Sequence, residues 1–246
     1  MCKASHINPP KINQTNLPTY ALATHPLRTG PSPIAYNQAV QTKTASFNLS
    51  FTAASLRPEL ARIIAEIYLQ EGNWPAAKAR VLASNALQCR TTTSAVRMET
   101  ELRRRLMHLT PAQLALLVAG PMESSAAMAW LAALKHINFV FQFAAEVLRA
   151  KLGRRDTTLR HSDYETFFDA QQDLHPELSR LTPLSKAKVR QVLYRMLAEG
   201  QLLAPGKPLG SIQRPVLSPA TSAAIAADDP AWLAGFLVPD QGIPGL

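Results

Sequence analysis

Two groups of side chains have the types and spacing needed to hold phosphate. Arg90, Thr91, Thr92, Thr93, Ser94 and Arg97 stand together at the start of a helical stretch. Unpaired N–H groups at a helix start favour anions, hydroxyls donate to phosphate oxygens, and a guanidinium engages two such oxygens at once. The same hydroxyls suffice to cap the helix, and Arg97 is spaced to pair with Glu101 one turn on. Capping and phosphate contact do not exclude each other. The second group is Lys186, Lys188, Arg190, Tyr194 and Arg195, between Thr182 and Glu199, followed by a stretch with Lys207 and Arg214. In a winged helix, a helix of this kind lies in or beside the major groove. Its cations track phosphates, one or two side chains reach base edges, and the wing adds flanking contacts. On the plainest reading it is a solvated face beside an apolar stripe. The wing-like sequel favours double-stranded DNA as the ligand.

Other chemistry is less well supplied. Arg103, Arg104 and Arg105 cover almost a full helical turn, so at least one must lie against protein; Arg104 could pair with Glu101 or a neighbouring helix and the others could extend the basic surface around Arg97, a structural role being favoured. His161, Asp163, Glu165, Asp169, Asp173 and His175 are residue types that metal-dependent hydrolysis uses. Their spacing places Glu165, Asp169 and Asp173 on one helical face, which a solvated acidic stripe explains without metal. No His-Glu-x-x-His, Walker loop, nucleophile elbow or Gly-x-Gly-x-x-Gly occurs, so we expect no catalytic centre, no metal and no cofactor. Cys89, beside Arg90, reads as a packing residue.

The composition agrees with a polyanionic partner. Lys and Arg number 26 against 17 Asp and Glu, a formal charge of +9 that also suits acidic protein surfaces. With 246 residues, 47% of them hydrophobic, the chain can bury a substantial core, and extended disorder over most of it is excluded. Two cysteines make neither a disulfide framework nor a cysteine-rich zinc site, and fit a reducing cytoplasm. Met1 to Asn16 lacks the apolar run of a secretory signal. The most apolar stretch, Ser124 to Ala145, is cut by Lys135 and His136, leaving 11 and 10 residues between charged neighbours. A spanning helix needs about 20, so buried helices and no membrane contact are expected.

The elements that would position these residues are mostly helices. Residues 1–45 hold six of the 19 prolines, four basic residues and no acid, a basic disordered leader. From 46 to 155 we expect a helical domain. Pro58 opens an amphipathic helix with Leu60, Ile63, Ile64, Ile67 and Tyr68 on one face, closed by Gly72. A short helix from Trp74, a third helix capped by the hydroxyls within Gln88 to Ala95 and running to about His108, and one from Pro111 to Ala119 follow. Met122 to Leu152, apolar on all sides, forms the main core and breaks near Asn138. From 156 to 228 we expect a winged-helix-like domain. Ser162 caps a helix with Phe167 and Phe168 inward, His175 starts a short turn, and Thr182 to Gly200 carries a stripe from Leu184 to Leu197. A small β-hairpin then has its tip at Pro205 to Gly210. Residues 229–246 form a tail that frays from Pro239. The fold class is thus mainly α, two helical subdomains of helix-turn-helix character, the second winged by the hairpin.

Several ordered motifs together resemble one family. Asn48 to Thr52, Arg62 to Tyr68, Gly72-Asn73-Trp74, Gln88 with Arg90-Thr91 and Ser94-Ala95, and His175 to Leu178 followed by Lys188 to Leu193 look like the BrxA family of bacteriophage exclusion (BREX) defence loci. The resemblance spans about residues 47–219. It implies a non-catalytic, mainly helical DNA-binding component of antiviral defence, acting beside a methyltransferase, an ATPase and other BREX proteins. The leader and the Pro/Gly-rich end depart from the family pattern. The alternative is a protein–protein interaction subunit whose cations dock acidic surfaces of the defence complex. RNA ranks lower because Tyr194 alone among the cations makes no stacking platform.

Overall fold

The computed structural model describes residues 49–206 and 209–244. The leader expected over 1–45 and the wing residue Lys207 lie outside them. A 3-10 turn, Ser50–Ala53, precedes α1 (Pro58–Glu71), which ends where Gly72 takes a left-handed φ of 72°. Asn73 accepts the Ala76 N–H at 2.8 Å and starts α2 (Trp74–Ala83); Trp74 stacks on Tyr68 with ring centroids 3.8 Å apart. Next come α3 (Thr92–Leu106) and α4 (Pro111–Ala119), the latter opened by a reciprocal Thr110–Gln113 capping box. In α1 the buried positions are Ala61, Ile64 and Ala65, on a helix packed against α2, α3 and α4.

The apolar stretch is a pair of helices, α5 (Met122–His136) and α6 (Asn138–Gly153), bent by 114° at Ile137. Every residue of α5 from Ser124 to Leu134 is buried, which accounts for its all-round apolar character. Among the described residues no single helix is long and apolar enough to cross a membrane; α5 and α6 reach that length and composition only as the bent pair. Residues Phe143–Leu148 of α6 are π-helical.

Helix α7 (His161–Leu174) starts one residue before the expected cap at Ser162. The carboxylate of Asp163 accepts the Arg160 N–H at 2.7 Å and satisfies the helix start, leaving Ser162 exposed inside the first turn. Phe167 packs edge-on to Phe139 and Phe143 at 5.2 and 5.3 Å. A short α8 (Pro176–Ser179) leads to α9 (Pro183–Glu199), whose buried stripe is Val189, Val192, Leu193, Met196 and Leu197. Leu184, expected in that stripe, is 82% exposed, because α9 projects its first turn beyond the core. Gly200 follows α9 with an ordinary φ of −83°, and Gln201 takes the left-handed step at 63°. Gly200 is constrained by space instead: a Cβ there would stand 3.0 Å from Leu202 and 3.3 Å from the Trp130 ring.

Strands β1 (Leu203–Ala204) and β2 (Ser211–Ile212) pair antiparallel, Leu203 with Ile212 and Ala204 with Ser211. Gly210 permits the return, with φ 88° and its α-carbon so near the Ala204 carbonyl that a Cβ would lie 2.1 Å from that oxygen. Thr158 bridges to Ser211, and Thr157 accepts the Ile212 N–H at 2.7 Å, so the connector before α7 joins the hairpin. Pro215 to Leu217 lies outside the ladder.

The chain then returns to its first helices. On α10 (Pro219–Ala226), Thr221 meets Ser124 at 2.9 Å and the Ala224 carbonyl accepts from Gln113 at 3.0 Å. A 3-10 segment, Pro230–Phe236, closes over α5, where Trp130 donates its indole N–H to the Gly235 carbonyl at 3.0 Å. The expected fraying from Pro239 does not occur through Ile243, which is buried: Trp232, Phe236, Leu237 and Ile243 carry enough apolar surface to seat this segment. A continuous apolar core runs from Phe51 to Ile243, with Leu159 of the connector inside it.

Candidate nucleic-acid interface

Thr91 caps α3, accepting the Ser94 N–H at 3.2 Å and donating its hydroxyl to the Ser94 Oγ at 2.9 Å. Arg90, Thr91, Thr92, Thr93, Ser94 and Arg97 are all exposed. The loop before them is fixed by Asn85, left-handed at φ 46°, whose side-chain carbonyl accepts the Cys89 N–H at 3.1 Å. Arg97 does not pair with Glu101, because Arg105 occupies that carboxylate.

The arginine run is divided three ways. Arg103 pairs with Glu99 at 2.7 Å, Arg104 is exposed, and Arg105 is buried. Arg104 therefore does not take Glu101. The Arg105 guanidinium donates to Glu101 at 2.9 and 3.1 Å and to the carbonyls of Ser55, Ala54 and Phe51 at 2.7, 2.8 and 3.4 Å. Burial lowers its pKa and the Glu101 charge opposes that shift. Glu199, at the end of α9, grips the same segment from the other side. It accepts the Ser55 hydroxyl at 2.9 Å and the Arg57 N–H at 3.0 Å. Arg57 is held left-handed at φ 48° directly before Pro58, a costly conformation that these bonds over-determine. Residues 51–57 thus form a strap clamped between α3 and α9.

The strap sorts the side chains expected on α9. Those facing α7 are occupied. Lys186 bonds to Gln172 and lies 5.2 Å from the Phe168 ring centroid; Arg190 pairs with Glu165 at 3.0 Å. Tyr194 is half-buried against His161 and Tyr164, and burial pushes its hydroxyl up to about 12. Those facing the strap are available: Lys188 and Arg195 are exposed and, among the described residues, form no ion pair, Lys188 reaching only Gln191 at 3.2 Å. Arg214 follows β2 and donates its Nε–H to the Leu237 carbonyl at 2.9 Å, anchoring the C-terminal segment as well as standing near the hairpin.

Lys188, Gln191 and Arg195 line a cleft of about 110 Å³ together with Arg57, residues 52–55 and Met98 of α3. Met98 shares its helix face with Ser94 and Thr91, one and two turns earlier. Of the two groups read from the sequence, only Lys188 and Arg195, from the second, line this crevice; the first contributes none of its residues, and α3 reaches the crevice through Met98. Arg57 was not singled out by sequence, nor was the strap. The signal available was weak: an arginine before Pro58, which reads only as a helix start.

Elsewhere, Asp163 is bonded to Lys151 at 3.0 Å and Glu165 to Arg190, so these carboxylates serve as structural partners. No group of three metal-ligating side chains occurs among the described residues. A polar cluster not anticipated from sequence joins α3, α5 and the chain after α10. The ring nitrogens of His108 and His136 meet at 3.0 Å, and Lys135 bonds to Asp228 at 2.7 Å and Gln113 at 2.9 Å. Burial first, then the charges of His108, Arg105 and Arg104, lower His136 to about 4.

The architecture is that of a mainly helical protein with one small antiparallel sheet, and three of its exposed cations, Arg57, Lys188 and Arg195, line one crevice between two helices. The family model of BrxA matches residues 45–229, and the chain belongs to the BrxA family. It is 26% identical over 141 residues to "BREX protein BrxA" of Bacillus cereus (strain H3081.97), a match covering 57% of this chain and 70% of that protein. It is 27% identical over 139 residues to "BREX protein BrxA" of Escherichia coli O9:H4 (strain HS), covering 56% and 65%. The fold is similar to the crystal structure of an uncharacterized protein from Magnetospirillum magneticum, with TM-score 0.69 and 18% identity over 78% of this chain and 98% of that one.

Proposed function

We propose that this protein is a non-catalytic, double-stranded DNA-binding component of a BREX phage-defence system, working in the cytoplasm beside other BREX proteins such as a methyltransferase and an ATPase. Family membership supports the defence role. The observation that carries DNA binding is the convergence of Arg57, Lys188 and Arg195 on one crevice beside Met98 of α3, on a chain of formal charge +9. The order α7, α8, α9, β1, β2, with Thr158 adding a third extended segment, supports a winged helix-turn-helix reading in which α9 precedes the wing. The occupied side of α9 points to backbone contact along the strap side, with little reading of bases.

Counterion release makes such binding steeply salt-dependent. A duplex of about 30 base pairs should bind at low salt and be lost as salt rises, equally for specific and random sequences. Absence of binding at low salt refutes the reading. The alternative, an interaction subunit, rests on the same cations meeting an acidic protein surface. Recovery of partners from nuclease-treated lysate, broken by charge reversals that spare duplex binding, would select it.

A further inference from the structure

We propose that the crevice between the 51–57 strap, α3 and α9 is a seat for one phosphate group of the DNA backbone, held jointly by Arg57, Lys188 and Arg195. This inference rests on the DNA-binding reading and makes it specific. Three features of the crevice lead to it. Its lining includes three cationic side chains and the amide of Gln191, and no carboxylate. Two larger clefts differ: one of about 380 Å³ is lined by Glu146, Asp156 and Asp163 with Lys151 and Arg154, and one of about 230 Å³ by Glu59 and Glu199 with Arg57. Each of these has one more carboxylate than cation in its lining, whereas the lining of the crevice carries positive charge alone. Its volume of about 110 Å³ is the second feature. That space exceeds the ~10–15 Å³ that admits one water and falls short of the ~300–1,000 Å³ of an ordinary small-molecule pocket. It suits a phosphate-sized group and is too small for a whole nucleotide.

The third feature is preorganisation. Glu199 holds the Arg57 backbone by its N–H at 3.0 Å and Ser55 by its hydroxyl at 2.9 Å, and Arg105 holds the carbonyls of the same strap. With the strap backbone held from both sides, an arriving anion has only side chains left to order. Lys188 and Arg195, two turns apart on one face of α9, close the other wall.

Cations that share one phosphate release counterions together, and this gives the test. Each phosphate neutralised contributes about −0.9 to the slope of log K against log salt. Lys188→Ala and the double variant Lys188→Ala/Arg195→Ala are compared with wild type on a random duplex, with thermal unfolding as a check on folding. The single variant leaves Arg57 and Arg195 on the phosphate and should change the slope little, whereas the double variant should weaken binding further and lose at most about 0.9 in slope, one phosphate's worth. Inorganic phosphate at constant ionic strength should compete with the duplex for wild type and not for the double variant. A slope loss near 1.8 in the double variant means two separate contacts and overturns the seat while leaving DNA binding intact. Phosphate competition with no change of duplex affinity or slope in the double variant assigns the crevice to free phosphate and also overturns the proposal. Wild type that fails to bind duplex at all defeats the functional reading beneath it.

Discussion

Replacing Arg105 by Met probes the strap that positions the crevice. Methionine approximates the stem of arginine, so little cavity is made, but the charge and its donors vanish. Glu101, only 3% exposed, keeps a buried carboxylate without its partner, and the carbonyls of Phe51, Ala54 and Ser55 lose their donor. Removing one member of a buried ion pair costs about 3–5 kcal/mol. At about 2–4 °C per kcal/mol for a chain of this size, the melting temperature should fall by roughly 6–20 °C. Removing both charges with Glu101→Leu/Arg105→Met abolishes the stranded carboxylate and leaves only the carbonyl losses. The double variant should be at least ~1 kcal/mol more stable than the sum of the two single losses predicts. Urea unfolding with thermal melts as a second probe measures all four proteins. A loss under about 1 kcal/mol in Arg105→Met, or strict additivity in the double variant, refutes the keystone role.

Three further outcomes are expected. Glu199→Ala removes a negative charge near the crevice and should nevertheless weaken duplex binding in fluorescence anisotropy, because Arg57 and Ser55 are released, while Glu199→Gln should retain most of the affinity; tighter binding by the alanine variant contradicts the clamp. Because His136 is lowered to about 4 from 6.5, the unfolded chain binds more protons between those values, so stability should fall as pH drops from 6.5 toward 4 and be fully present above 6.5. The contribution is roughly 1–3 kcal/mol, and His136→Gln should flatten that part of a stability–pH curve. Gly210→Ala should destabilise by about 1–3 kcal/mol in urea unfolding, since the added Cβ meets the Ala204 carbonyl and φ is left-handed.

Local signals carried most of the helices. Pro58 with Gly72, the hydroxyl cluster before α3, Thr110 and the break near Asn138 mark elements whose ends are set by neighbouring residues, and the structure ends them there, choosing Thr91 from the cluster as the cap. The BrxA resemblance was legible in the same motifs. What sequence did not convey was pairing across distance. Lys186, Arg190 and Tyr194 share a basic helix with Lys188 and Arg195, yet Gln172, Glu165, His161 and Tyr164 on α7 decide which of them face solvent. Likewise Arg105 is one of three adjacent arginines, and only the helical register against residues 51–55 singles it out for burial. The C-terminal segment looked loose from its Pro and Gly content. Its anchors, Trp232, Phe236 and the Gly235 carbonyl, become visible only once Trp130 and Phe141 are in place to receive them.

The most direct test of the account compares the two sides of α9 on a duplex at low salt. Lys188→Glu/Arg195→Glu, on the strap side, should abolish measurable binding, whereas Lys186→Glu/Arg190→Glu, on the α7 side, should weaken it far less, provided both remain folded. Equal loss from both sides, or undiminished binding by the strap-side variant, contradicts the claim that DNA lies along the crevice between α3 and α9.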